Sequence, residues 1–392
     1  MTRPTFLRFT PRPTAASILT RRVKELARDC GLTVAAVTDA DPFDGLADHL
    51  CAKIAQGRLA GLDWFTPERA TFSADPRNLQ PTARSLLSVG VAYWSIDPGK
   101  PDDGVPRGRI ARYAWGVDYH KLLKRRMASL LAAIEREVGR PVEARLLVDT
   151  ARIVDRAVAA RSGLGWFGKH SCIIVPGHGS WVMLGEIALD LDLDPDRPLD
   201  RNCGSCSICI DRCPTGAIVA SGTIDTPRCL SFQTIEQRGA IPAALRSAMG
   251  DWVFGCDVCQ EVCPYTKAAK SEPDPEFLPS SVGRAYPSLR WLLTMTESEF
   301  RAVYGGSAVA RAKRRGLARN AATALGNVGS GDDVPCLAAA LDGHDEPLVR
   351  GHAAWSLAQL GGGVARRALL AAAIHEEADD ARLEIMAALE RL

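Results

Sequence analysis

The chain has 392 residues, 46% of them hydrophobic and 24% charged, with a net charge of +2. That length suits two or three domains, and the composition is globular rather than disordered or fibrous. So small a net charge excludes a protein that binds polyanions with its whole surface, and no apolar run reaches the ~20 residues needed to span a bilayer.

Met1 to Arg22 are polar and Arg-rich and lack the apolar stretch of a secretory signal, so a cytoplasmic chain with reduced thiols is expected. Thr14 is placed to cap a helix in which Ile18, Val23, Leu26 and Ala27 recur at helical spacing. Leu32 to Val37 and Ser85 to Tyr93 read as strands; the apolar run Leu86 to Trp94 is the longest of the chain. Lys121 to Val138 repeats Leu122, Leu123, Met127, Leu130, Leu131 and Ile134, a helix pattern. Ala144 to Val148 predicts a strand and Ile153 to Ser162 an Ala-rich helix. Cys172 to Val175 and Trp181 to Leu191 predict strands joined through the turn Gly177-His178-Gly179. Residues 1–195 are thus expected to hold one α/β domain, with Met1 to Pro13 unassigned.

Three patterns in this domain bear on chemistry. Gly163-Leu164-Gly165-Trp166-Phe167-Gly168 matches G-x-G-x-x-G, but a dinucleotide fingerprint needs a strand before it and a helix after it, and here that order is reversed. Gly163 to Lys169 also looks like a phosphate loop, yet His170 stands where Ser or Thr would hold magnesium. The segment reads as a glycine loop that approaches something closely, with Lys169, His170 and Ser171 pointing into a cavity; a plain tight turn is the alternative. Asp118-x-His120 begins the cobalt-coordinating motif D-x-H-x-x-G, but Leu123 replaces its glycine, so His120 is not read as a cobalt ligand. Asp149 closes the apolar strand Leu146-Leu147-Val148. A carboxylate there can donate a proton if burial raises its pKa; a helix cap at Asp149 or Thr150 is the alternative.

Residues 196–270 carry a cysteine signature twice: Cys203-x2-Cys206-x2-Cys209-x3-Cys213-Pro214, then Cys256-x2-Cys259-x3-Cys263-Pro264 with Cys229 upstream. Eight thiolates suit two cubane iron–sulfur clusters. In the bacterial ferredoxin pattern the fourth cysteine crosses to the other cluster. That assigns Cys203, Cys206, Cys209 and Cys263 to one cluster and Cys229, Cys256, Cys259 and Cys213 to the other. Structural zinc more often uses two separated C-x2-C pairs, and disulfides do not suit a cytoplasmic chain. Cys30, Cys51, Cys172 and Cys336 read as buried free thiols. Thr215 to Ile218 is expected to form the short helix that follows a ferredoxin cluster.

Residues 271–290, rich in Pro, Ser and acidic side chains, read as a linker, and 271–305 as linker and connecting helix. In 306–392, Ala321-Ala322-Thr323-Ala324-Leu325 repeats as Ala353-Ala354-Trp355-Ser356-Leu357 at an offset of 32, and Gly329 as Gly361. This marks stacked helix pairs of the HEAT type, at a period short for that class. Two basic clusters, Lys121, Lys124, Arg125 and Arg126, and Arg311, Lys313, Arg314, Arg315 and Arg319, read as solvated helix faces or phosphate-binding patches.

Together these segments resemble the epoxyqueuosine reductases, cobalamin-dependent iron–sulfur enzymes of queuosine-tRNA maturation, over nearly the whole chain. The resemblance is carried by Arg112-Tyr113-Ala114-Trp115-Gly116, Asp118-Tyr119-His120, Val148-Asp149-Thr150, Asp155-Arg156-Ala157-Val158-Ala159, the Gly163 to Ser171 loop, the eight cysteines, Arg228-Cys229-Leu230-Ser231-Phe232 and Arg319-Asn320-Ala321. It implies an α/β cobalamin-binding domain, a ferredoxin-like double [4Fe-4S] insert and HEAT-like repeats. It implies removal of the epoxide oxygen of epoxyqueuosine at the wobble position of tRNA, with Asp149 as proton donor. Arg69, Ala111, Asp149, Lys169, His170, Ser171 and Ser231 would lie near cobalamin. Arg156, Arg311, Lys313, Arg314 and Arg315 would bind the tRNA anticodon loop. An external one-electron donor, no membrane and a monomer are expected. A dehalogenase-like corrinoid reductase and a non-enzymatic electron carrier are the other readings; the basic repeats argue against the first and the large α/β domain against the second.

Overall fold

A computed structural model of the chain describes residues 14–269 and 274–392. Met1 to Pro13 and the start of the expected linker, 271–273, lie outside the described residues. Helix α1 (Ala15–Asp29) begins where Thr14 Oγ1 accepts the Ser17 N–H at 3.0 Å, satisfying one of the donors that a helix start leaves free. Val23, Leu26 and Ala27 are buried as their spacing predicts. Ile18 is exposed instead; Thr20 takes the inward place, accepting the Asp194 N–H at 2.7 Å.

Strands β1 (Val34–Asp39), β2 (Ser85–Ala92), β3 (Ala144–Leu147) and β4 (Val182–Leu189) form one antiparallel sheet in the order β1-β2-β4-β3. Side chains alternate between its faces. Leu87, Val89, Val91, Ile187 and Leu189 pack under α1 and α2 (Tyr119–Val138). Leu86 and Ala188 pack with Leu147 and with Val158 of α3 (Asp155–Arg161). Because Ser88 and Glu186 are cross-strand partners two residues from Leu86 and Ala188, they share the α3 face. The strand expected at Cys172 to Val175 is Ile173–Ile174, and it pairs with Trp166–Phe167 in a hairpin outside the sheet. The glycine loop is therefore a helix-to-hairpin turn. A side chain at Gly163, whose φ is 71°, would come within 2.1 Å of the Arg197 carbonyl.

Two expectations fail in the middle of the chain. After Cys213-Pro214 there is no helix: Gly216, at φ 60°, ends the turn, and Ile218–Ala220 pairs with Thr223–Ile224. Where the second run has Tyr265-Thr266-Lys267 after its proline, the helix Pro264–Lys267 does form. The described part of the expected linker is not free chain. Asp274 and Glu276 pair with Arg126 and Arg125, Phe277 is fully buried, and Leu289 and Leu292 share a core with Ile110 to Trp115. Its composition hides this because Phe277 is one apolar anchor with no periodic neighbours.

The repeats are α4 (Lys313–Val328), α5 (Val334–Gly343), α6 (Pro347–Leu360), α7 (Gly362–His375) and α8 (Asp379–Leu389). Helices α4, α6 and α8 stack in one layer and α5 and α7 in the other. The small residues are needed: a Cβ at Gly326 would stand 2.6 Å from Ser356 Oγ of the next helix. Among the described residues no helix is long and apolar enough to cross a membrane.

Candidate active site

The chain leaves β3 through Asp149, whose φ of 40° is a left-handed conformation uncommon outside glycine. That turn sets the carboxylate against the first turn of α2. Tyr119 Oη donates to Asp149 Oδ2 at 2.8 Å, and His120 Nε2 lies 3.1 Å from the same oxygen. Asp118 caps the helix, accepting the His120 N–H at 2.9 Å and standing 2.9 Å from His120 Nδ1. Each ring nitrogen faces a carboxylate, and only the doubly protonated imidazole offers two donors. Burial opposes that charge, but Asp118 and Asp149 outweigh it and push His120 up to about 9. Burial also pushes the Asp149 carboxyl up, yet the hydrogen bonds from His120 and Tyr119 and the charges of His120 and Arg311 hold it below the usual carboxylate range. The rise expected from burial is thus overturned, and the proton rests on His120. Nor is Asp149 a helix cap, since Val154 precedes α3.

Asp149 stands between two adjoining cavities. The larger, about 800 Å³, is lined by Tyr113, Tyr119, His120, Glu236, Arg311 and Lys313. The smaller, about 460 Å³, has apolar walls from Leu50, Leu62, Phe65 and Phe167, with Lys53, Asp155, Arg156, Ser171 and Cys229 among the polar groups. Trp64, Arg69, Asp149, Ser231 and Phe232 line both. Apolar walls edged by donors suit a broad, flat cofactor with polar arms.

The structure gathers the thiols in two groups. The Cys209 thiol is pushed up by burial and then by Cys263, Cys203 and Cys206. Cys256 is pushed up to about 12 by burial, with Asp257, Cys229 and Cys213 adding to it. Cys259 is raised by burial and then by Cys172, Cys256 and Cys229. Among the described residues no group of three or more His, Cys, Asp or Glu side chains is arranged to hold a single metal ion. Arg112 pins the second group: its N–H donates to Asp257 Oδ2 at 2.8 Å, and its guanidinium pairs with Glu261 at 2.6 Å. Cys30, Cys51, Cys172 and Cys336 form no disulfide among the described residues and are only partly exposed, and Cys172 adjoins Cys259 and Cys229.

Among the other expected residues, Arg69, Ser171 and Ser231 line the cavities. Ala111 does not; it is buried beneath the second cysteine loop, its N–H bonded to the Phe254 carbonyl at 2.8 Å. Lys169 reaches instead to the Gly204 carbonyl at 2.8 Å. His170 is buried against Cys263, whose thiol burial pushes up but His170 and Thr266 hold below its ordinary value. Ser171, at φ 67°, reverses the chain and alone of the three faces the cavity. Arg156 lines the smaller cavity and donates to the Ser171 carbonyl at 2.8 Å. Arg311 and Lys313 line the larger one. Arg314 is mostly covered and pairs with Asp345, Arg315 donates to the Arg238 carbonyl, and Arg319 is fully buried. Sequence reasoning missed Tyr119 and His120 as partners of Asp149. Asp118-x-His120 was the available signal, but nothing local ties it to a strand end elsewhere in the chain.

Two ferredoxin-like cysteine groups, the second reaching through Cys229 to a cavity edged by the His120–Asp149 pair, define an iron–sulfur oxidoreductase. Residues 202–266 match the 4Fe-4S double cluster binding domain, 74–150 the family described as Epoxyqueuosine reductase QueG, DUF1730, and 307–390 HEAT repeats. The epoxyqueuosine reductase of Xanthomonas campestris pv. campestris is 39% identical over 90% of this chain and 98% of its own, and that of Staphylococcus aureus 37% over 89% and 90%. A crystal structure of epoxyqueuosine reductase with a tRNA-Tyr epoxyqueuosine-modified stem loop aligns at TM-score 0.89 and 32% identity over 96% of this chain and 99% of its own. The Bacillus subtilis enzyme, described with its catalytic aspartate loop swung out of the active site, aligns equally well, at TM-score 0.89. The chain belongs to the epoxyqueuosine reductase family.

Proposed function

We propose that this protein reduces epoxyqueuosine to queuosine at the wobble position of tRNA, with cobalamin in the smaller cavity and two [4Fe-4S] clusters that pass electrons from an external one-electron donor. One observation carries the reading. Asp149, backed by His120 and Tyr119, sits where a cavity edged by the cluster cysteine Cys229 meets a cavity edged by Arg311 and Lys313. Electron entry, proton supply and phosphate binding thus converge on one carboxylate. The stem-loop complex of a relative 32% identical supports the RNA substrate.

Cys203, Cys206, Cys209 and Cys263 would hold one cluster; Cys229, Cys256, Cys259 and Cys213 would hold the other, beside the cavity. The apolar walls would take only the edge of the corrin ring, the rest of the cofactor extending into the adjoining cavity, with Arg69, Lys53, Ser171 and Ser231 as donors to its polar rim. When bound it supplies reduced cobalt, the reagent able to open a strained epoxide. The protein supplies the proton. His120 and Asp149 act as one acid: the proton crosses 3.1 Å from Nε2 to Oδ2 and from there to the departing oxygen, while Tyr119 holds the carboxylate in place. Asp118 keeps the imidazole oriented. The strained φ of 40° at Asp149 suits a loop like the one seen swung out in the Bacillus subtilis relative. Arg311 and Lys313 at the cavity edge position RNA phosphates without reading sequence, and the modified base enters after leaving its stack.

The test is anaerobic reconstitution followed by turnover on an epoxyqueuosine-containing stem loop. Iron–sulfur absorption, a cobalamin spectrum altered by the protein and formation of queuosine are expected. A protein that ignores cobalamin, or returns the epoxide intact, ends the reading.

A further inference from the structure

The buried carboxylates of this protein are not alike. Asp257 accepts the Arg112 N–H, and Asp333 accepts from Arg290 and Ser330. Glu186, fully buried on β4, has no hydrogen-bond partner at either carboxyl oxygen among the described residues. Ser88, its cross-strand partner, is also fully buried with an unpartnered hydroxyl. On the same face of the sheet Asp155 opens α3; it lines the smaller cavity, and its Oδ1 is buried and unpartnered. A carboxylate buried without partners costs far more than the neutral acid, so this place holds a proton. Burial and the charge of Asp155 push Glu186 well up. Burial and Asp149 push Asp155 to about 7, against the opposing charge of Arg156; Lys53 and Arg69 line the same cavity.

We propose that Glu186, Ser88 and Asp155 form an internal proton store that opens on the cavity at Asp155 and delivers the second of the two protons the reduction consumes. The proposal rests on the reductase reading above. The reaction breaks both C–O bonds of the epoxide, forms a C=C bond, and takes up two electrons and two protons as the oxygen leaves as water. The electrons come singly from the external donor. Asp149 with His120 gives one proton. The Asp155 O–H gives the other, and Glu186 then reprotonates the Asp155 carboxylate when the two carboxyl groups, unbonded at rest, close to hydrogen-bond distance; the Ser88 O–H then turns to donate to the Glu186 carboxylate until solvent refills the store.

Infrared difference spectra and steady-state kinetics of reconstituted holoenzyme test this. At mildly alkaline pH the wild type should show the carbonyl band of a buried protonated acid, lost in Glu186→Gln. Wild-type kcat should fall as pH rises through about 7, where Asp155 loses its proton. Asp155→Asn should remove that limb and lower kcat by about 10²-fold with KM unchanged. If Glu186→Gln does not fold, Ser88→Ala should shift the same band and lower kcat. The store is overturned if the wild type lacks the band, or if neither variant at Glu186 or Ser88 changes kcat at any pH. A wild type that shows the band yet leaves epoxyqueuosine unreduced keeps the buried acid and sinks the reductase reading instead.

Discussion

Arg319 in the repeats and Glu186 in the sheet are both fully buried ionisable side chains, and they are treated in opposite ways. Arg319 donates to the Gln233, Gln237 and Gly239 carbonyls and to Asn320 Oδ1, all within 3.0 Å. Asn320 in turn donates to the Thr234 and Val253 carbonyls. Glu186 has no such bond. The guanidinium is satisfied, and its bonds lock the first repeat helix onto the segment that follows Cys229 and Ser231. The carboxyl has no partner among the described residues and lies on the sheet face of Asp155, which lines the smaller cavity. A satisfied buried charge holds structure; an unsatisfied one signals chemistry.

The largest effect expected concerns neither residue but the site between them. Asp149→Asn should lower turnover by about 10²–10⁴-fold while cluster absorption stays unchanged. Full activity would remove Asp149 from the proton path. Next, Arg319→Met should lower stability by about 3–5 kcal/mol, because several carbonyls lose their donor together. Glu186→Met should be neutral or stabilising by about 1 kcal/mol, since it removes a polar group that has no partner. Equal losses in the two variants, read by thermal melting, would break the comparison.

A smaller effect follows from His120. Its folded value is raised to about 9, above an ordinary value of about 6.5. Its stabilising pairs with Asp118 and Asp149 are therefore complete below the lower value and lost as pH rises through the upper one. Wild-type stability and turnover should fall across that window, and His120→Asn should lack the step near the upper value. The smallest effect belongs to the cavity edge. Arg311→Glu with Lys313→Glu should weaken stem-loop binding and flatten its salt dependence by about two units of slope. Arg314→Gln, already covered and paired with Asp345, should leave that slope nearly unchanged.

Much of the scaffold was legible. The period of Leu122, Leu123, Met127, Leu130 and Ile134 foretold α2, and the continuous apolar run Leu86 to Trp94 foretold the buried strand β2, because a helix stripe and an apolar run are local patterns. The offset of Ala321 to Leu325 onto Ala353 to Leu357 foretold two stacked helices. The site was legible in part. Asp149, Ser171, Ser231, Arg69 and Arg311 do meet in space, but His170, Lys169 and Ala111 turn elsewhere, each drawn off by one tertiary contact: Cys263, the Gly204 carbonyl and the Phe254 carbonyl. Arg319 stood in a basic run and read as surface because nothing near it in the chain shows that the Gln233, Gln237 and Gly239 carbonyls await it.

By itself the sequence determined the cysteine spacing, the helix and strand periods and the repeat, since each is set by residues a few positions apart. Only the tertiary structure decided that His120 and Tyr119 meet Asp149, that Arg319 is a lock and that Glu186 has no partner among the described residues. Those facts depend on the dielectric and on hydrogen-bond partners that distant segments bring to one point, and no short stretch of chain encodes them.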